Sequence, residues 1–161
     1  SRAGLSVMTE PIIRVHATCV ALSRADGGWS GVLLRGPSGA GKSDLALRLI
    51  DGGARLVADD QTELRRLDGV LTACAPESLA GKIEVRGMGI LDLPYLDVVS
   101  LLLVCDLVAA DRIERHPDPQ IERLAEVELP LLAVAPFEAS APAKLRLGVE
   151  AARHGIVRSS K

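Results

Sequence analysis

Eight residues, Gly36-Pro37-Ser38-Gly39-Ala40-Gly41-Lys42-Ser43, constrain this chain more than any other stretch. They match G-x-x-x-x-G-K-[ST] in full. The apolar run Gly31–Leu34 precedes them, and Leu45, Ala46, Leu49 and Ile50 follow at helical spacing. A strand that passes through such a sequence into a helix must curl its backbone, and the glycines leave room for the N–H groups to converge on an anion. The positive end of the helix adds about half an elementary charge at the same place. Lys42 is then placed to neutralise outer phosphates and Ser43 to offer a hydroxyl to Mg²⁺. Residues 36–43 are therefore the candidate site for a nucleoside triphosphate. What is done with the nucleotide stays open, because switches, motors, synthetases and kinases share this loop.

The 161 residues suit one domain, 1–161, and their net charge of −2 gives no whole-chain attraction to nucleic acid. Aromatic residues are 2% of the chain, namely Trp29, Tyr95 and Phe137, so base-stacking platforms for single strands are nearly excluded and the core must be aliphatic. Cys19, Cys74 and Cys105 are scattered and lack C-x-x-C spacing, which fits a reducing compartment rather than a disulfide framework or zinc knuckle. The longest apolar runs, Leu101–Val104 and Leu131–Ala135, fall far short of the roughly 20 residues of a spanning helix. No signal peptide is visible, and the expectation is a cytoplasmic protein without membrane or nucleic-acid partners. Met8 reads as a natural start, with residues 1–7 upstream of it.

Along the chain, residues 12–22 predict one strand and 31–34 a second, joined by a turn at Arg24–Gly28. A helix after the loop stops at Gly52-Gly53. Residues 55–58 predict a short buried strand; 62–67 and 70–73 predict a hairpin about Asp68-Gly69. Residues 83–86 and 90–93 flank a glycine-rich loop, 98–104 form a buried strand, His116–Pro119 a loop, and 144–153 a final helix. The class is mixed α/β with strand-rich insertions.

Phosphoryl transfer needs a metal, a positioned acceptor and cations around the moving group. Asp59-Asp60 ends the 55–58 strand, where strand C-termini gather beside a phosphate loop. Neighbouring residues face opposite ways, so one of the two faces the acceptor while the other holds metal or backbone. Glu84 and Arg86 are two apart and share a face, a metal ligand and a cation on one mobile loop or a surface ion pair. Asp106 ends the 98–104 strand and rivals Glu84 as metal ligand. His16 stands alone in an apolar run, where a structural role is the commoner one, and Arg112 and Arg115 both precede the Pro-rich loop.

In order and nearly in spacing, HATCV, GPSGAGKS, RLVADD and EVRGMGILDL resemble the HPr kinase/phosphorylase family over about residues 14–135. The resemblance implies a P-loop nucleotide-binding fold of the HPr kinase and phosphoenolpyruvate carboxykinase type, a mixed sheet with β-hairpin insertions. It implies an ATP- and Mg²⁺-dependent protein-serine kinase whose partner is an HPr-like phosphocarrier protein, and a homohexamer. Residue by residue it makes His16 an active-site histidine, Lys42 the phosphate-binding lysine, Ser43 and Glu84 the Mg²⁺ ligands and Asp60 the group that takes the serine proton. It makes Arg115 the catalytic arginine, with Arg112 the alternative. Residues 83–92 resemble the loop that the family uses in both directions of catalysis.

The chain departs from the family pattern in three places. The N-terminal domain of the typical member is expected to be absent, as in the short α-proteobacterial form that the chain resembles, whose HPr-like partner belongs to a regulatory system. The connection around Arg24–Ser30 is longer. The segment V-R-P-G-R-N that the family links to dephosphorylation is replaced by Pro136-Phe137-Glu138-Ala139-Ser140-Ala141, which argues against phosphorylase activity. Two other functions fit the same loop, an ATP-sensing module without catalysis and a small-molecule kinase.

Overall fold

The structure, a computed structural model, describes residues 10–155, so the expected start at Met8 and residues 1–7 lie outside the described residues. Its elements are β1 (Ile12–Val15), β2 (Ala17–Ser23), β3 (Trp29–Arg35), α1 (Lys42–Asp51), β4 (Arg55–Ala58), β5 (Thr62–Leu67), β6 (Val70–Cys74), β7 (Lys82–Val85), β8 (Gly89–Asp92), β9 (Val99–Leu107), β10 (Gln120–Leu124), β11 (Val127–Val134) and α2 (Ala141–Arg153).

The strand expected over 12–22 is two strands. β1 pairs with β5, whereas β2 pairs with β3 and β4, so the chain changes partner at His16. Burial changes there too, from an exposed β1 to a β2 whose first six residues are all buried. The helix expected at 144–153 starts earlier, at Ala141, with Pro142 at a position where a missing N–H costs nothing. β10 and β11 escaped the sequence reading. Pro130 interrupts the apolar run of β11, but it lies just before Leu131–Val134, the stretch that pairs with β9, so that ladder does not need its N–H.

Strand direction positions the site. β3, β9 and β11 are mutually parallel, and β2 is antiparallel to both β3 and β4, so β4 runs with β3. The C-terminal ends of β3, β4, β9 and β11 therefore meet on one edge, together with the start of β2. Across the sheet β3 is central, with β2 then β4 on one side and β9 then β11 on the other.

Alternation along the strands divides the core into two. Val20, Leu22, Val32, Leu34, Leu103 and Cys105 face α1 and α2, which bury Leu45 and Leu49, and Leu145 and Val149, against them. Cys19, Ala21, Leu33 and Val104 face the opposite way, onto Leu64, Leu71 and Ala73 of the β5–β6 hairpin. Leu45 and Leu49 are fully buried and contribute about 2 kcal/mol each. They fix the first turn of α1, and with it the end of the phosphate loop.

Candidate active site

Between β3 and α1 the loop curls as its composition requires. Gly39 and Gly41 have φ of 84° and 100°, a left-handed backbone that glycine adopts without steric cost. Gly36 is needed for space, since a Cβ there would lie 2.9 Å from that of Ala40. Ser38, Gly39, Gly41, Lys42 and Ser43 line a cleft of about 680 Å³, while Ala40 packs into the helix-side core. Gly36 and Pro37 form the loop's back: Lys42, only 5% exposed, donates from Nζ to their carbonyl oxygens at 2.7 and 3.2 Å. Its ammonium thus lies folded against the loop it serves.

Asp59 and Asp60 diverge in the bend that follows β4. Asp59 Oδ1 accepts from the Ser43 hydroxyl at 2.6 Å and from the Thr18 hydroxyl at 3.1 Å, and its Oδ2 accepts from the Glu84 backbone N–H at 3.1 Å. One carboxylate therefore joins α1, β2, β4 and β7. Asp60 instead projects to the mouth of the cleft, where its Oδ1 lies 2.7 Å from Nε2 of a half-exposed His16. Its φ of 68° is a left-handed conformation uncommon for a residue with a side chain, and its N–H donates to Thr18 Oγ1 at 3.1 Å. Thr18 was missed in the sequence. A lone hydroxyl in an otherwise apolar run two residues after His16, fully buried in the structure, was the available signal.

Glu84 and Arg86 both line the cleft and Ile83 is buried behind them, but Arg86 lies in the turn beyond β7 and Val85, expected on the opposite face, lines the cleft as well. The expected loop is a two-stranded hairpin, β7 on β8, in which Glu84 opposes Ile90. Asp106 behaves otherwise. It lies inside β9 and takes Arg35 bidentately at 2.7 and 3.1 Å, and Arg35 also reaches Glu122 at 2.8 Å. These hydrogen bonds, Asp106's foremost, raise the Arg35 guanidinium above its ordinary pKa. Asp106 is thus committed outside the cleft, which removes it as the rival metal ligand. Arg112 and Arg115 lie exposed on the β9–β10 connection, and neither lines the cleft.

Among the described residues no three His, Cys, Asp or Glu side chains gather to hold a metal unaided. A hydroxyl with one or two carboxylates does fit Mg²⁺, which keeps most of its ligands from phosphate and water. Ser43, Asp59 and Glu84 supply that set.

A curled glycine loop opening a helix, a folded-back lysine and a serine–aspartate pair at the C-terminal edge of a mixed sheet define a phosphate-loop α/β protein. The sequence profile of the HPr Serine kinase C-terminal domain matches residues 11–97, and the chain belongs to that family. An HPr kinase/phosphorylase of Clostridium novyi is 51% identical over 73 residues, 45% of this chain and 24% of the relative. Another from Exiguobacterium sibiricum is 35% identical over 116 residues, 65% of this chain and 37% of the relative. The chain thus spans well under half the length of these relatives. The Hpr(Ser) kinase/phosphatase structure from Coxiella burnetii superposes with a TM-score of 0.76 at 24% identity, covering 89% of this chain and 98% of that one, and so shares the fold. Among the described residues no helix is long and apolar enough to cross a membrane.

Proposed function

We propose that this protein transfers the terminal phosphoryl group of ATP to a serine of an HPr-like phosphocarrier protein, in the cytoplasm. The observation that carries the reading is the meeting of the loop amides, Lys42, the Ser43–Asp59 pair, Glu84 and Asp60 around one open cleft. Bound Mg²⁺-ATP supplies the phosphoryl group and part of the charge neutralisation. The loop amides and the α1 N-terminus hold the phosphate tail, and Lys42 exchanges its contacts with Gly36 and Pro37 for phosphate oxygens. Ser43 and Glu84 would hold the cation, with Asp59 orienting Ser43. Asp60, held by His16, accepts the serine proton as the serine Oγ–P bond forms and the bond from the γ-phosphorus to the departing ADP breaks. In a loose transition state, positioning and charge outweigh proton abstraction.

The Asp60 side chain lines the cleft and is 58% exposed, which favours an acceptor presented on a protein surface over a small enclosed one. Arg86, already in the cleft, and Arg115, which would have to approach, are the cations available to the transferred group. The hexamer implied by the family belongs with this reading, and the arginine-free segment 136–141 confines it to the kinase direction.

Incubation with γ-labelled ATP, Mg²⁺ and an HPr-like protein, followed by phosphosite mapping, tests it. Labelled phosphoserine is expected; tight nucleotide binding with no labelled serine would make the protein an ATP sensor instead.

A further inference from the structure

The only phenylalanine in the chain stands at the phosphate loop. Phe137 is 69% exposed, lines the cleft, and rests so closely on Gly41 that a methyl group there would lie 2.8 Å from its ring. Its backbone is fixed from both sides, because Arg48 of α1 donates to the carbonyls of Pro136 and Glu138 while also bonding Asp44. The backbone that carries the ring is therefore held before any ligand arrives, which lowers the ordering cost of binding.

Topology says what the ring faces. Asp59 and Asp60 follow β4 and Phe137 follows β11, on opposite sides of β3 and the loop that β3 feeds. With the terminal phosphate among the carboxylates, the rest of the ligand leaves the loop on the other side. There the cleft wall becomes Phe137, on the side of α1 from which Arg48 reaches the Pro136 and Glu138 carbonyls. The geometry points to Phe137 as the platform on which the base of the bound nucleotide stacks. The assignment rests on the nucleotide reading proposed above.

Titration of the whole protein with Mg²⁺-ATP and with Mg²⁺-tripolyphosphate separates the base from the phosphates. Phe137→Ala is expected to weaken ATP about tenfold, in the range of base–aromatic stacking, and to leave tripolyphosphate unchanged; Phe137→Trp restores ATP. Because the chain has one phenylalanine, selective labelling of Phe rings in the wild-type protein gives one set of resonances. They should move upfield and show contacts to the base protons with ATP, and do neither with tripolyphosphate. Wild-type protein that binds ATP without moving those resonances, or a Phe137→Ala loss equal for both ligands, overturns the platform and leaves the phosphate site intact. Failure of the wild type to bind either ligand overturns both.

Discussion

Ser43 donates its hydroxyl hydrogen to Asp59 across 2.6 Å, tying the first turn of α1 to the end of β4. The same carboxylate accepts from Thr18 and from the Glu84 N–H, so its loss is felt in the fold as well as the site. Asp59→Ala is expected to lower stability by about 2 kcal/mol, since three donors lose an ionised acceptor. Asp59→Asn keeps an acceptor for the Glu84 amide and costs less, yet weakens Mg²⁺-dependent nucleotide binding. Denaturant melts and nucleotide titrations with and without Mg²⁺ measure the two effects separately.

Asp106 makes the opposite prediction. Its bond to Arg35 lies outside the cleft, so Asp106→Asn should cost about 1 kcal/mol of stability through a weakened charged hydrogen bond and leave Mg²⁺-ATP affinity unchanged. A Mg²⁺-specific loss in this variant, equal to that of Asp59→Asn, would restore Asp106 as a metal ligand.

Lys42 and Asp60 differ in the size of their contributions. If charge neutralisation dominates, Lys42→Ala lowers the single-turnover rate about a thousandfold, and Asp60→Asn about a hundredfold. Equal losses would contradict the ranking.

The left-handed backbone of Asp60 makes a separate claim about stability. Asn and Gly tolerate φ of 68°, whereas Ala pays about 1 kcal/mol. Asp60→Gly should therefore melt no lower than the wild type, and Asp60→Ala lower, while both lose transfer. That pattern marks a residue kept for chemistry rather than for folding.

Burial pushes the Cys105 thiol up to about 12, with Asp106 adding to the shift. The raised folded value means the thiol's contribution is intact below the unfolded pKa near 9.0 and is lost as pH rises toward 12. Between those values stability should fall by about 1.4 kcal/mol per pH unit from this group alone. Urea unfolding from pH 9 to 11 checks it: Cys105→Ala should start less stable and show a slope shallower by that amount.

The phosphate loop, α1 and the hairpins at Asp26 and Asp68-Gly69 were legible because local chemistry decides them: glycines with positive φ and turn residues between apolar runs. The split at His16 was not, because a run of apolar residues does not say that its two halves join different strands. β10 and β11 were hidden for a similar reason, since their pairing depends on β9 lying beside them. In the site, strand alternation does not account for the divergence of Asp59 and Asp60, because both lie beyond β4 and Asp60 turns into a left-handed conformation; nor does period two account for Arg86, which lies in the turn after β7 and lines the cleft together with Val85. The choice between Glu84 and Asp106 required knowing that Arg35 opposes Asp106 across β3 and β9, a register that no local pattern reveals.

The most direct test is a crystal structure of the protein with Mg²⁺ and a non-hydrolysable ATP analogue. The phosphate tail should lie across the amides of Gly39–Ser43, with Lys42 on its outer oxygens and the terminal phosphate bordered by the Asp60 carboxylate. A nucleotide bound elsewhere, or a terminal phosphate turned away from Asp60, would contradict the account.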